Sequence, residues 1–141
     1  MKSWEELVNP NDEAREKFFA FLMKRPCTHK QAEEYLSRMK LPFSLMNEAE
    51  DTGLIDDLGY SRLFVDGHLK WGNARIAHEL GVRGVSRSDI NEALDDAEDE
   101  AERAREIAEE LRASGLEERK IAARLMARGF TNRAVREALL E

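Results

Sequence analysis

The strongest constraint on this chain of 141 residues is an internal repeat. The stretch RGVSRSDINEAL at 83–94 returns 45 residues later as RGFTNRAVREAL at 128–139. Extended to 74–94 and 119–139, the two segments share eight of 21 positions, and a fainter copy lies 44 residues earlier at 30–50. A regular period of this length is typical of tandem structural repeats, in which each unit extends the core of its neighbour.

Each repeated position has a physical role in a helical unit. Ile76 and Leu80 lie one turn apart and form an apolar stripe on one helix. Gly84 suits the turn that ends this helix, because glycine adopts positive φ without steric cost. Ser86 is placed to cap the next helix, which buries Ile90. The last copy repeats these roles with Ile121, Leu125, Gly129, Thr131 and Val135.

These patterns predict an all-α chain, built as an elongated tandem array of three three-helix repeats of about 44–45 residues each. The predicted repeats occupy residues 1–53, 54–95 and 96–141, which gives about nine helices in total. No stretch alternates between apolar and polar residues for long enough to predict a strand. Because one such bundle alone would have a marginal core, we expect the repeats to stack.

Proline and capping signals set the helix limits expected in the first repeat. Its first helix should begin near Asn11 and end before Pro26, since the residue before a proline disfavours the helical conformation. Thr28 and Gln31 have the spacing of a capping box for the second helix. Ser44 is the expected cap of the third.

The first helices of the other two repeats are expected to be longer. In the middle repeat we predict a helix that Asp56 or Asp57 caps and that ends near Gly72, beside Trp71. In the last repeat we predict a helix that spans residues 95–115.

Several stretches resemble the RecX family, the bacterial regulators of the RecA recombinase. GLIDDLGYSRLFVDGHLKWG at 53–72 is similar to the family's Gly-Leu-Ile-Asp-Asp pattern, with aromatic residues following at Tyr60 and Phe64. RIAHEL at 75–80 matches its Arg-Ile-x-x-Glu-Leu segment, and IAARLMARGFTNRAVREAL at 121–139 resembles its C-terminal repeat. No one of these motifs is specific alone, but their order and spacing together are.

The resemblance covers roughly residues 15–140 and implies both a fold and a function. RecX-like proteins are similarly built of tandem three-helix repeats and have no chemistry of their own. They lie along the groove of the RecA–DNA filament and touch successive protomers. The resemblance therefore implies inhibition of the recombinase, co-protease and ATPase activities of a RecA-type filament, and so modulation of homologous recombination, DNA repair and the SOS response.

The charge distribution departs from the family, whose members are often basic. The chain has a net charge of −7, and residues 95–110 alone hold nine acids and two arginines. This acidic run is interpreted either as a solvated helix face or as a mimic of DNA. Residues 116–141, in contrast, hold six basic and four acidic side chains.

Basic residues of the middle and last repeats are the candidate contacts with the filament or with DNA. Arg124 and Arg128 lie four residues apart and therefore share one helix face. Such a patch attracts acidic protein surfaces and DNA phosphates, although a solvated face without a partner has the same composition. The full set of candidates is Arg75, Arg83, Arg87, Arg119, Lys120, Arg124, Arg128, Arg133 and Arg136.

No residue pattern points to an enzyme, a cofactor or a metal site. His29, His68, His78 and Cys27 lack the partners of a zinc site, which needs about four ligands. Phosphate-binding glycine motifs are missing as well. Trp71 has two interpretations, packing in the core or anchoring a partner from a partly exposed position.

Two further functions stay open beside the regulatory one. A three-helix unit with a glycine turn resembles helix-turn-helix geometry, so a separate DNA-binding module is the first alternative. The second is a structural interaction protein with an unrelated partner. We expect a cytoplasmic monomer without a membrane span, because the acidic N-terminus lacks the apolar segment of a secretory signal.

Overall fold

A computed structural model describes residues 10–140 of the chain. Within these residues the fold consists of nine α-helices and has no strand, so the all-α prediction is confirmed. Residues 1–9, on which the expected lack of a secretory signal depends, lie outside the described part. The helices are α1 (Pro10–Lys24), α2 (His29–Met39), α3 (Leu45–Asp51), α4 (Asp57–Asp66), α5 (Asn73–Val82), α6 (Arg87–Asp95), α7 (Glu100–Ala113), α8 (Glu118–Ala127) and α9 (Asn132–Leu139).

The chain forms two compact units, residues 1–60 and 61–141. The first contains α1 to α3 and the start of α4, and the second contains the rest of α4 and α5 to α9. The second unit therefore combines helices that the sequence assigns to the middle and last repeats, and the division into three repeats stays a prediction. None of the described helices is both long and apolar enough to span a membrane.

The first unit is held by the apolar faces of its three helices. Phe18 and Leu36 are fully buried, and Phe21 stacks on Tyr35 with ring centroids 3.9 Å apart. The predicted capping box at the start of α2 is confirmed, because the Gln31 N–H donates to the Thr28 side chain and the Thr28 N–H donates to the Gln31 side chain. The buried core comprises Phe18, Leu22, Cys27, Ala32, Leu36, Leu45, Met46, Ala49 and Ile55.

The two aspartates proposed as caps have different tasks. Asp56 accepts a hydrogen bond from the Gly59 N–H at 3.0 Å and so caps its own helix α4, as predicted. Asp57 instead accepts the backbone N–H of His29, at the start of α2, at 2.8 Å. A carboxylate from a later segment thus satisfies a free N–H group at the start of an earlier helix.

The predicted extension of α4 to near Gly72 is wrong, because the helix ends at Asp66. Beyond it the N–H of His68 bonds to the carbonyl of Val65, and that of Trp71 to the carbonyl of His68, in two tight turns of four residues each. These turns leave carbonyl groups free for hydrogen bonds from elsewhere in the unit, which a continuous helix would have used itself.

Two other expected helix starts differ from the structure. Helix α7 begins at Glu100, well inside the expected range, because the Asp99 side chain accepts the N–H of Glu102 and caps the helix there. Ser44 precedes α3 as expected, but its side chain makes no capping hydrogen bond, since its own backbone is already helical. The N–H of Leu45 bonds to the carbonyl of Pro42 instead.

The repeated turn is confirmed in detail. Gly84 and Gly129 have φ values of +88° and +89°, and the Ser86 and Thr131 side chains cap the helices that follow. At the corresponding position of the first repeat Lys40 adopts the same left-handed region, with φ of +57°. The turn geometry is therefore common to all three copies, including the copy that lacks the glycine.

The second unit buries the stripes that the repeat predicts. Ile76, Leu80, Ile121 and Leu125 are fully buried on α5 and α8. The core of the last three helices comprises Ala104, Ile107, Ala108, Ile121, Leu125, Phe130, Val135 and Ala138.

Candidate partner-binding surface

The candidate contact residues of α5 and α8 occupy equivalent helix positions. Arg75 and Arg83 lie on either side of Glu79 along one face of α5. The corresponding face of α8, 45 residues later, is Lys120, Arg124 and then Arg128 at the helix end. The duplicated sequence thus repeats one charged helix face in the two repeats of this unit.

A backbone connection joins the start of α5 to the end of α8. The N–H of Gly72 donates to the carbonyl of Arg128 at 2.9 Å, and the N–H of Ala74 donates to the carbonyl of Gly129 at 3.1 Å. Two N–H groups at the start of α5 are thereby satisfied by the turn that ends α8. We call this connection the seam.

The seam depends on the absence of side chains at two glycines. A Cβ atom at Gly72 would lie 2.0 Å from the nitrogen of Phe130, and one at Gly129 would lie 2.3 Å from the Cβ of Arg75. Both distances are far below any real contact between carbon and these atoms. The close approach places the backbone and Cβ of Arg75 beside Gly129, the residue that follows Arg128 in the chain. We call Lys120, Arg124, Arg128 and Arg75 the basic stripe.

Arg103 on α7 holds the segment before the seam from inside the unit. Its side chain is buried, and its guanidinium donates to the carbonyls of Leu69 at 3.1 Å and of Trp71 and Glu98, both at 2.9 Å. A fourth bond runs to the Asn73 side chain at 3.0 Å. Burial lowers the pKa of Arg103 from its ordinary value, but arginine remains charged at any working pH. Because its donors are paired with carbonyl groups, the buried charge is well solvated by the protein.

Glu100, one turn before Arg103, binds the starts of two helices. Its Oε2 atom accepts the N–H of Asn73 at 2.7 Å and the N–H of Thr131 at 3.2 Å. Its Oε1 atom accepts the Thr131 hydroxyl at 2.7 Å. A carboxylate here suits the positive ends of α5 and α9 together. It repeats the role of Asp57 toward α2, 43 residues earlier.

Sequence reasoning missed both of these residues. They lie in the acidic run, which was interpreted as a solvated face or a DNA mimic, and composition alone gave no reason to single them out. One signal was available, since Glu100 stands close to one repeat period after Asp57, an expected helix cap. For Arg103 the only hint was an arginine among many acids.

The three candidate arginines of the middle repeat differ in exposure and in the residues that they contact. Arg75 is exposed, and its guanidinium carbon lies 3.8 Å from the centre of the Trp71 ring. Arg83 is half-buried, forms an ion pair with Glu79 at 3.0 Å and lies 4.8 Å from the centre of the Phe64 ring. The hydrogen bond from Arg83 lowers the pKa of Glu79. Arg87 is exposed at the first position of α6.

The candidates of the last repeat are mostly exposed. Arg133 forms an ion pair with Glu137 at 2.9 Å, which raises the pKa of Arg133. Its positive charge is therefore partly neutralised within α9. Arg128 is half-buried at the end of α8. The exposed positions without a recorded ion pair among residues 10–140 are Arg119, Lys120, Arg124 and Arg136. The basic stripe therefore carries charge that the described part of the chain does not neutralise.

Comparison with known proteins finds similarity to RecX proteins over part of the chain. Residues 56–94, which form α4 to α6, match the family model described as RecX, second three-helix domain. Two curated proteins named Regulatory protein RecX, from two strains of Lactobacillus delbrueckii subsp. bulgaricus, are 34% and 33% identical over 87 residues. Helices α4 to α6 are thus similar to the second three-helix domain of RecX proteins.

Solved RecX structures have the same fold. A crystal structure of RecX from Lactobacillus salivarius superposes with a TM-score of 0.81 at 21% identity, over 92% of this chain and 94% of that one. A second crystal structure, of regulatory protein RecX, gives a TM-score of 0.72 at 22% identity and covers 88% of this chain and 68% of that one. These likenesses establish the arrangement of helices.

The sequence match to the curated RecX relatives covers only part of each protein. The aligned region covers 57% of this chain and 32% of each curated relative. The chain thus spans about a third of the length of those proteins. It includes α4 to α6, the helices on which the RecX domain assignment rests.

Proposed function

We propose that this chain regulates a RecA-type recombinase by binding its filament on single-stranded DNA and inhibiting its recombinase, co-protease and ATPase activities. The observation that carries the proposal is the match of α4 to α6 to the second RecX domain, together with the similarity to curated proteins named Regulatory protein RecX. The role would belong to homologous recombination, DNA repair and the SOS response.

The geometry of the second unit supports this proposal. The seam fixes the repeated charged faces of α5 and α8 in one orientation, and a filament of identical protomers presents its own surface at regular intervals. Two helix faces at corresponding positions in a fixed relation suit such a partner, because each can meet the same part of successive protomers. Rigid presentation also spares the entropy that a flexible chain would lose on binding.

The role proposed for the nine candidate residues is electrostatic attraction to acidic surface on the filament. The basic stripe is the main candidate, because Lys120, Arg124 and Arg128 follow one face of α8 toward the seam, where Arg75 begins the corresponding face of α5. Arg87, Arg119 and Arg136 add exposed charge nearby in sequence, and Arg83 and Arg133 contribute less because each already pairs with a glutamate. Attraction of this kind chiefly raises the association rate and weakens as salt increases.

A separate DNA-binding module is the second candidate, which the six basic residues of the last repeat favour. The acidic run at residues 95–110 opposes it, because its nine acids and two arginines carry the whole net charge of −7 and repel a polyanion. Weak DNA contact that accompanies filament binding is compatible with the main proposal.

Co-sedimentation distinguishes the two functions. The chain is mixed with recombinase filaments assembled on single-stranded DNA, with the recombinase alone and with bare DNA, at several salt concentrations. The main proposal expects the chain to pellet with the filament and far less with bare DNA. Binding to bare DNA as strong as to the filament, with a steep dependence on salt, would support the DNA-binding module instead.

A further inference from the structure

Three aromatic rings form a compact cluster on the surface of the second unit. The rings of Phe64 and His68 stack with centroids 4.1 Å apart, and the rings of His68 and Trp71 lie 4.3 Å apart. The Nδ1 atom of His68 lies 2.7 Å from the carbonyl oxygen of Phe64, which fixes the imidazole. All three residues are half-buried. We call Phe64, His68 and Trp71 the ring cluster.

The two candidate arginines of α5 lie on the ring cluster. The guanidinium of Arg75 covers the Trp71 ring at 3.8 Å, and that of Arg83 covers the Phe64 ring at 4.8 Å. The arrangement follows from the chain path, because the turns after α4 reverse the chain and α5 returns past the rings with both arginines on one face.

Stacking on a ring leaves the N–H edge of a guanidinium free to bind. An arginine that lies flat on an aromatic face keeps its planar fork of donors in a fixed direction, suited to an oxyanion with two oxygens. Arg75 is exposed, and no carboxylate lies within ion-pair distance of it among residues 10–140. The Trp71 ring therefore holds the Arg75 guanidinium in place before any partner arrives, and its N–H donors are available to bind a carboxylate.

The charge between the two arginines favours a protein partner over nucleic acid. Glu79 lies on the same helix face between Arg75 and Arg83, and it is ionised because the Arg83 hydrogen bond lowers its pKa. A phosphate backbone presents a continuous row of negative charges, which this glutamate would repel. A folded protein surface can offer a carboxylate to Arg75 and avoid negative charge opposite Glu79.

We propose that the ring cluster with Arg75 and Arg83 is a preformed docking site for a carboxylate on the protein surface of the recombinase filament. This inference rests on the function proposed above and assigns its specific contact. Arg75 makes the contact, Arg83 supports it, and the rings of Trp71 and Phe64 position the two guanidinium groups. The basic stripe attracts the filament at longer range, whereas this site makes the directional hydrogen bonds that orient the chain on it.

Two substitutions that separate charge from geometry test the proposal. Arg75→Lys keeps the positive charge but loses the planar fork and its stacking, while Lys70→Ala removes one charge from an exposed residue next to Trp71 in the chain. Affinity for filaments on single-stranded DNA and for bare DNA is measured by interferometry, and thermal unfolding verifies that each variant folds. We expect Arg75→Lys to weaken filament binding at least about fivefold and Lys70→Ala less than about twofold.

Two substitutions of Trp71 test whether its ring positions Arg75. Trp71→Phe retains an aromatic face, and Trp71→Leu removes it at similar apolar character. We expect Trp71→Phe to retain most of the affinity, and Trp71→Leu to approach the weakening of Arg75→Lys. A role of Trp71 in packing alone would make the two variants differ in stability without this difference in filament affinity at a temperature where both are folded.

Each contrary result has a separate meaning. Unchanged filament binding by Arg75→Lys, or an equal loss with Lys70→Ala, overturns the docking site and leaves the regulatory function standing. An equal loss for bare DNA and for the filament overturns the assignment to a protein carboxylate. If the parent chain does not bind the filament at all, the proposed function fails and this inference fails with it.

Discussion

The backbone N–H of Gly72 donates a hydrogen bond of 2.9 Å to the carbonyl of Arg128, and this bond connects the middle repeat to the last at the level of the main chain. Most packing between helices is made by side chains, which tolerate adjustment. A backbone contact without any intervening Cβ tolerates very little, so the relation between α5 and α8 is fixed closely.

Replacing Gly72 by alanine should therefore destabilise the second unit. The backbone φ of −79° suits alanine, so the whole effect comes from the collision of the new Cβ with Phe130 and from loss of the seam bonds. We expect a loss of about 2–4 kcal/mol in the free energy of unfolding, measured in urea. Gly81→Ala is the matched control, because nothing lies within 4 Å of its added Cβ and alanine is about 1 kcal/mol better within a helix.

Gly129→Ala should cost more than Gly115→Ala, although both glycines have nearly the same φ, +89° and +92°. The conformational penalty of about 1 kcal/mol is common to the two. Only at Gly129 does the added Cβ meet a neighbour, the backbone and Cβ of Arg75, whereas Gly115 faces open space. Equal unfolding midpoints for the two variants would show that the turn at Gly129 can move away from Arg75.

Arg103→Met should destabilise the chain by about 3 kcal/mol. The change keeps side-chain bulk but leaves the carbonyls of Leu69, Trp71 and Glu98 without their donor inside the protein. Arg112→Met is the control, since Arg112 is exposed and its ion pair with Glu118 is of the kind that contributes little. Both values come from thermal or urea unfolding, and similar small losses for the two would mean that water replaces the Arg103 guanidinium.

The Glu79 carboxylate should titrate below the ordinary range of glutamate, because the Arg83 hydrogen bond stabilises its ionised form. A folded-state pKa that is lowered gives stability that is present above the unfolded pKa and is lost as the pH falls through the folded value. A pH titration by carboxyl-detected NMR measures this directly, and Arg83→Gln should return the Glu79 pKa toward its usual value. An unchanged Glu79 pKa in that variant would place the cause elsewhere.

Reversing charge at Arg124 and Arg128 together should weaken filament binding by about tenfold or more while the chain stays folded. The two positions belong to the basic stripe, and each reversal both removes an attraction and adds a repulsion. Lys17→Glu with Lys24→Glu on α1 is the control, because it makes the same change in net charge at exposed positions of the first unit. Equal weakening by both pairs would mean that net charge alone governs binding.

The sequence predicted much of the fold because the duplicated positions are governed by local physics. The glycine turns, the Ser86 and Thr131 caps and the buried pairs Ile76–Leu80 and Ile121–Leu125 depend on residues only a few positions apart. Such signals can be read from one sequence without knowledge of distant contacts.

The errors have a common physical origin in contacts between distant segments. The segment after Asp66 has a helical pattern, but its carbonyls bond to Arg103, more than 30 residues away. Glu100 looks like one acid among many until α5 and α9 are brought to it. The candidate arginines were found by charge, whereas the rings that position Arg75 and Arg83 became visible only when α5 was folded back over the turns after α4.

The central claim is the proposal that this chain restrains a RecA-type filament, and ATP hydrolysis tests it most directly. The cognate recombinase is supplied with single-stranded DNA, and its steady-state ATPase rate is followed as the chain is added. The account predicts inhibition that is nearly complete well below one chain per recombinase protomer. An unchanged rate at an excess of chain shown to be helical by circular dichroism would contradict it.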